Sequence, residues 1–168
     1  SQLNAGAKAA HGNLLFFMHA DSQPPENFLQ DVVKAVEAGY TAGCFRLKFD
    51  SNNWFIRANA WFTRFNIDAV RFGDQGLFVT RKMFDKAGGY RDDHILMEDQ
   101  EIVLRLKKHK ARFKVLKKSM ITSARKYEEN GALNLQYHFF IIWWNYYRGK
   151  SQDELVRIYN KRILDQKM

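Results

Sequence analysis

Leu14 to Met18 is an uninterrupted apolar run that stops abruptly at His19-Ala20-Asp21. Bounded by Gly12-Asn13 on its other side, it suits a buried strand of a parallel sheet. Before it, Leu3, Ala7 and Ala10 make a helical stripe. After it, Asp21 to Pro25 reads as a loop, and Pro24-Pro25 precede a helix with apolar face Phe28, Val32, Val33 and Val36, closed by Gly39. Helix, strand, loop and helix in that order restrict the chain to an α/β architecture.

The remaining pattern agrees. From Ala42 to Phe49 the residues alternate, with Phe45, Leu47 and Phe49 on one face and Cys44, Arg46 and Lys48 on the other, as in a half-exposed strand. Trp54 to Phe65 reads as an aromatic helix, Gly76 to Thr80 as a short strand, and Arg81 to Ala87 as a short helix stopped by Gly88-Gly89. Arg91 to Met97 is a polar loop. The next helix spans Glu98 to Lys108, buries Ile102, Val103 and Leu106, and ends in a Lys-rich turn that suits its negative C-terminus. Phe113 to Leu116 and Met120 to Thr122 are two short candidate strands. An aromatic helix from Ala132 to Tyr147 and a charged one from Asp153 to Leu164 follow.

With 168 residues, 46% of them hydrophobic, the chain is long enough for one domain with a real core. Twenty-seven Lys and Arg against 18 Asp and Glu give a net charge of +9, which favours anionic partners without choosing among nucleic acid, lipid headgroups and phosphorylated small molecules. Cys44 is the sole cysteine, which excludes an intrachain disulfide and a cysteine-based zinc site and makes the reducing cytoplasm the expected setting. No opening stretch reads as a signal peptide. Because residues 1–10 already resemble the middle of a helix running into a strand, the chain is expected to be a fragment of a longer protein.

Four islands carry the candidate chemistry: His19-Ala20-Asp21, Gly73-Asp74-Gln75-Gly76, Met97-Glu98-Asp99, and Thr122-Ser123-Ala124-Arg125. Each falls at a strand end or helix start, where open α/β sheets build their crevices. Asp21 is placed to hold a divalent metal, Mg²⁺ or Mn²⁺, or else to organise the turn before the next helix. His19 is a metal or phosphate neighbour, or a satisfied strand-end histidine. Glu98 and Asp99 either answer the helix dipole or raise one another toward general-base duty. Asp74 and Gln75 line a site or form a turn. Arg125 pairs with a diphosphate or is a surface arginine.

Together with Leu3-Asn4-Ala5-Gly6-Ala7 and Gly88-Gly89-Tyr90, these islands resemble a bacterial branch of the family 2 glycosyltransferases of GT-A fold. The resemblance implies the C-terminal portion of a GT-A domain, a Rossmann-like mixed sheet with flanking helices. Residues 1–125 would be the partial domain and 126–168 its C-terminal helical extension. It implies inverting transfer of a sugar from a nucleotide-diphosphate donor to a sugar or lipid-linked acceptor hydroxyl. His19-Ala20-Asp21 stands where the family carries a DxD-type metal motif, leaving Asp21 as ligand. Asp99 takes the place of the general base, Glu98 precedes it, Asp74 and Gln75 line the acceptor or sugar side, and Arg125 faces the leaving diphosphate. The family's front β-α-β-α unit, which holds base and ribose, does not precede Ser1. A non-catalytic nucleotide-sugar or glycan-binding module is the rival expectation.

Two partner readings complete the sequence. Lys107, Lys108, Lys110, Lys114, Lys117 and Lys118 come without any recognisable nucleic-acid module, so nucleic acid is not an expected partner. Tyr137 to Tyr147 is apolar and aromatic but shorter than the about 20 residues a spanning helix needs. It is expected to lie on a membrane surface, or to cover the sheet or a homodimer partner.

Overall fold

A computed structural model describes residues 1–68, 71 and 73–163. Helices α1 (Gln2–Ala9) and α2 (Phe28–Glu37) flank strand β1 (Leu14–Phe17) and the two-residue strand β2 (Ser22–Gln23). Then come β3 (Ala42–Phe49), α3 (Trp54–Phe62), a 3₁₀ turn at Gly73–Gln75, β4 (Leu77–Thr80), α4 (Arg81–Ala87) and α5 (Glu98–Lys108). Strand β5 (Phe113–Thr122) and helices α6 (Arg125–Asn130), α7 (Ala132–Tyr147) and α8 (Gln152–Arg162) close the described residues.

Local chemistry sets several of these ends. Asn53 caps α3 by accepting from the amides of Phe55 and Ile56 at 2.9 and 3.4 Å. Ser151 and Glu154 form a reciprocal capping box at α8. Gly88, at φ +82°, ends α4 in the left-handed conformation that glycine adopts without a Cβ penalty.

The five strands form one mixed sheet in the order β1-β4-β3-β5-β2. Central β3 runs parallel to β5 and antiparallel to β4, while β1 pairs antiparallel with β4 and β2 with β5. One core cluster joins β1 and β4 to α1, α4 and α5; a second joins Phe45, Phe78, Leu116 and Met120 to Val32 and Ala35 of α2. At mid-sheet the adjacent strands β3 and β5 approach so closely that a Cβ on Gly43 would lie 2.2 Å from the carbonyl oxygen of its register partner Lys114.

Several expectations are corrected. Strand β1 is antiparallel, at the sheet edge among the described residues, and not an interior parallel strand. The supposed loop from Asp21 contains β2. Strand β3 is half-exposed only toward its C-terminal end: Cys44 is buried like Phe45, whereas Arg46 is partly exposed and Lys48 exposed on the polar face that the alternation predicts. The two short strands are one, β5, interrupted by a bulge where Phe45 pairs Leu116 but Arg46 pairs Ser119, leaving Lys117 and Lys118 outside the ladder. On α2, Val32 is buried and Phe28 and Val36 pack against the core as expected, joined by Ala35, whereas Val33 is 45% exposed. Helix α3 stops at Phe62, α6 was unanticipated, and Leu164 lies outside the described residues.

Candidate active site

Register partners Phe17 and Leu77 bring two of the four islands together. The residues that continue past β1 meet those that precede β4, so His19 and Asp21 face Gly73 to Gly76 across an antiparallel pair. His19 Nδ1 lies 3.6 Å from Asp74 Oδ1. The third island arrives on the first turn of α5, and Asp99 Oδ2 lies 3.5 Å from His19 Nε2. One imidazole thus bridges carboxylates from two other segments of the chain.

Gly73 makes this convergence sterically possible. A Cβ there would sit 2.1 Å from His19 Nε2 and 2.2 Å from Asp99 Oδ2. Buried Arg71 anchors the approach to this turn: its guanidinium donates to the carbonyls of Thr63 and Phe65, its Nε to that of Ile67 at 3.2 Å, and Nη1 to Cys44 Sγ at 3.3 Å. Met97, the residue before Glu98, is left-handed at φ +65°, a costly conformation for a residue with a Cβ. Its side chain packs on the α7–α8 cluster around Leu135 and Leu155, which holds the turn in place.

His19, Asp21 and Asp74 each present one ligand atom, and these atoms lie within 4.8 Å of one another. An imidazole nitrogen with two carboxylate oxygens fits a divalent cation. The nitrogen suits Mn²⁺ better than Mg²⁺, which favours oxygen and water.

The electrostatics of the crevice are coupled. The Asp99 carboxylate, at long hydrogen-bonding range, is the largest cause raising His19 to about 9; burial opposes it, and the charges of Asp99, Asp74 and Asp21 add to it. The imidazole is therefore cationic at neutral pH without metal. Burial, reinforced by Asp99, lifts Glu98 to about 7. Burial also pushes Asp74 above the usual carboxylate range, against the pull of the His19 charge.

The other expected residues divide. Gln75 is fully buried and donates to the Phe45 carbonyl at 3.1 Å, so it forms the wall of the crevice and not its open side. Arg125 begins α6, half exposed, with its Nε 3.7 Å from Glu129. After the His19 imidazolium, the cation whose charge reaches Asp74 is Lys126 and not Arg125; Lys126 also donates to Tyr159 Oη at 2.9 Å. Asp74, expected on the acceptor or sugar side, lies beside His19, and two residues of the crevice, Lys126 and Tyr90, were not picked out as site residues from the sequence. The Tyr90 ring is 3% exposed and lines the same small cavity, about 20 Å³, as His19, Gly73 and Asp99. Its hydroxyl has no hydrogen-bond partner among the described residues. Asn4 clamps its backbone, donating to the Tyr90 carbonyl and accepting from its amide, both at 2.8 Å. The signal was present in the Leu3-Asn4-Ala5-Gly6-Ala7 and Gly88-Gly89-Tyr90 motifs, which meet although Asn4 and Tyr90 are 86 positions apart.

A sequence profile of the family described as Glycosyl transferase family 2 matches residues 1–96. No curated protein matches the chain in sequence. Among solved structures, the chain is similar to mannosyltransferase PcManGT from Pyrobaculum calidifontis, in complex with GDP-Man and Mn²⁺, with a TM-score of 0.61 and 14% identity. The match covers 94% of this chain and 47% of that protein, so this chain spans about half the neighbour's length. At that identity the likeness establishes a shared fold.

Proposed function

The chain belongs to glycosyl transferase family 2, and from that premise we propose that its crevice serves sugar transfer from a nucleotide-diphosphate donor to an acceptor hydroxyl, with inversion. The observation that carries this reading is the meeting of His19, Asp74 and Asp99 from three separate segments. In it, Asp99 takes the acceptor proton as the acceptor oxygen forms its bond to the anomeric carbon. The bond from that carbon to the diphosphate oxygen breaks, its electron pair leaving with the diphosphate. Attack from the face opposite the leaving group inverts the centre.

His19, Asp21 and Asp74 are the residues that would hold a divalent cation. Such an ion supplies positive charge against the growing charge of the leaving diphosphate. Mn²⁺ in the structural neighbour supports that choice. Lys126, whose charge reaches Asp74, adds positive charge to the crevice, and Arg125 beside it in sequence is the proposed partner of the leaving diphosphate. Glu98, held near neutral pH by burial, stands beside Asp99 as a second acid. The single buried thiol, Cys44, accords with a cytoplasmic setting.

Two substitutions test the reading. Asp99→Asn should leave binding of nucleoside diphosphate nearly intact and cut turnover by roughly 10² to 10⁴, the usual worth of a positioned acid or base. Near-normal turnover in folded Asp99→Asn protein would return the acid pair to the role of helix-dipole partners. Asp21→Ala should abolish the Mn²⁺ dependence of nucleoside diphosphate binding in calorimetry. Unchanged binding there would remove the metal assignment.

A further inference from the structure

The aromatic residues that the cores do not use are gathered on two helices that pack against each other, α3 and α7. On α3 and the turn after it, Trp54, Trp61, Phe62 and Phe65 are 42–77% exposed, while Ile56 and Ala60 face inward. On α7, Leu133, Tyr137, Phe140, Trp144 and Tyr147 are 48–69% exposed, and Leu135 and Ile142 are buried. Their spacing of four, three, four and three residues keeps them on one side of the helix. Single exposed apolar residues need no explanation, but two neighbouring stripes of large rings do.

Charge says what covers them. No acidic residue stands between Asp50 and Asp68, or between Glu129 and Asp153, although the chain carries 18 elsewhere. The charges within these two stretches are all basic: Arg57 and Arg64 on one, Arg148 and Lys150 on the other, all exposed. Arg64 lies over the Trp61 ring at 4.4 Å, and Lys150 reaches Glu154 of α8 at 3.6 Å. Rings with basic heads beside them, and no acids among them, complement a surface that is apolar inside and anionic outside. A second copy of the chain fits less well. An isologous contact would bring like charges together with no acid on either helix to pair with.

We propose that the exposed faces of α3 and α7 dock the protein on the surface of an anionic phospholipid bilayer. No helix among the described residues is long and apolar enough to cross a membrane, so the contact is superficial, with Trp and Tyr at the headgroup level. This placement does not depend on the catalytic reading and goes beyond the Tyr137 to Tyr147 stretch by making α3 an equal partner.

Flotation of the protein with vesicles tests it, comparing phosphatidylcholine alone with phosphatidylcholine containing about one-third phosphatidylglycerol. Binding should require the anionic lipid, weaken at high salt, and shift tryptophan emission to the blue. The pair Trp61→Ser and Trp144→Ser, and separately the pair Arg57→Glu and Arg64→Glu, should each lower partitioning about tenfold or more while leaving thermal unfolding near that of the parent. All four positions are exposed, so the fold tolerates them. Failure of the parent protein to bind anionic vesicles overturns the proposal, as does binding that neither pair reduces. A dimer that Trp61→Ser and Trp144→Ser dissolve, in protein that ignores vesicles, overturns it in favour of self-association.

Discussion

His19 Nε2 stands 3.5 Å from Asp99 Oδ2, so without a metal an imidazolium occupies the carboxylate proposed to take the acceptor proton. His19 titrates at about 9 in the fold against 6.5 in a free histidine, which means that the folded protein holds the proton more tightly than the unfolded chain does. The resulting stability is fully present below pH 6.5 and is lost as pH rises through about 9. Thermal unfolding of metal-free protein should therefore show Tm declining across that window, modestly because the imidazole is half exposed to solvent. His19→Asn should flatten this decline; a profile in which parent and variant decline alike would dissolve the pairing.

The proposed manganese binding should have the opposite dependence. An imidazole must be neutral to ligate, so a cation held by His19, Asp21 and Asp74 has to displace the His19 proton. Affinity for Mn²⁺ should rise with pH, by up to about tenfold per unit, until about 9. Calorimetry in buffers of different ionisation enthalpy should detect release of close to one proton at neutral pH. Binding without proton release would exclude His19 from the shell.

Gly73→Ala places a methyl group 2.1 Å from His19 Nε2 and 2.2 Å from Asp99 Oδ2. One of these groups has to move by about 1 Å or more, a displacement that in a catalytic site costs on the order of 10²-fold in turnover. Mn²⁺ affinity should fall as well if His19 is the group that gives way. The measurement is a joint one of turnover and Mn²⁺ titration, and parent-like values in both would show that the crevice is looser than its geometry implies.

Tyr90 and Asn4 touch one another yet should respond in opposite directions. Tyr90→Phe removes a buried hydroxyl that has no partner among the described residues, so stability to urea should stay level or rise. Asn4→Ala removes both 2.8 Å bonds to the Tyr90 backbone and should cost about 1–3 kcal/mol. A clear loss in Tyr90→Phe would mean that the hydroxyl is satisfied in solution, by a water in the adjoining cavity.

Much of this was legible from local pattern. The bounds of α5 at Glu98–Lys108 and of α7 at Ala132–Tyr147 follow from their hydrophobic period and their end residues, information carried within each segment. What escaped was set by long-range contact. Whether β1 runs parallel or antiparallel depends on β4, more than fifty residues on, and not on its own apolar run. The bulge in β5 is legible only in retrospect, as Lys117-Lys118 between two apolar runs. The catalytic candidates divide in the same way. Asp99 stands out at a helix start, whereas Asp74 resembles any turn aspartate until the ladder sets it beside His19. Gln75, polar in a turn, gave no hint that it would be buried against Phe45.

The pairing of Phe17 with Leu77 has a consequence for how this protein tolerates changes of length. The segment between the two strands contains α2, β3 and α3, and insertions at its exposed turns leave the β1–β4 alignment untouched. Adding or deleting a single residue within Leu14–His19 or Asp74–Thr80 is different in kind. It slides one strand by about 3.3 Å and turns alternate side chains to the opposite face. Within β4 the slip would also turn Leu77, Phe78 and Val79 out of the two cores they join, so it would cost the fold as well as the site. Within β1, which pairs with β4 alone among the described residues, it should part His19 from Asp74 at smaller cost to the scaffold, so length variants of β1 are the ones that would separate the scaffold from its chemistry.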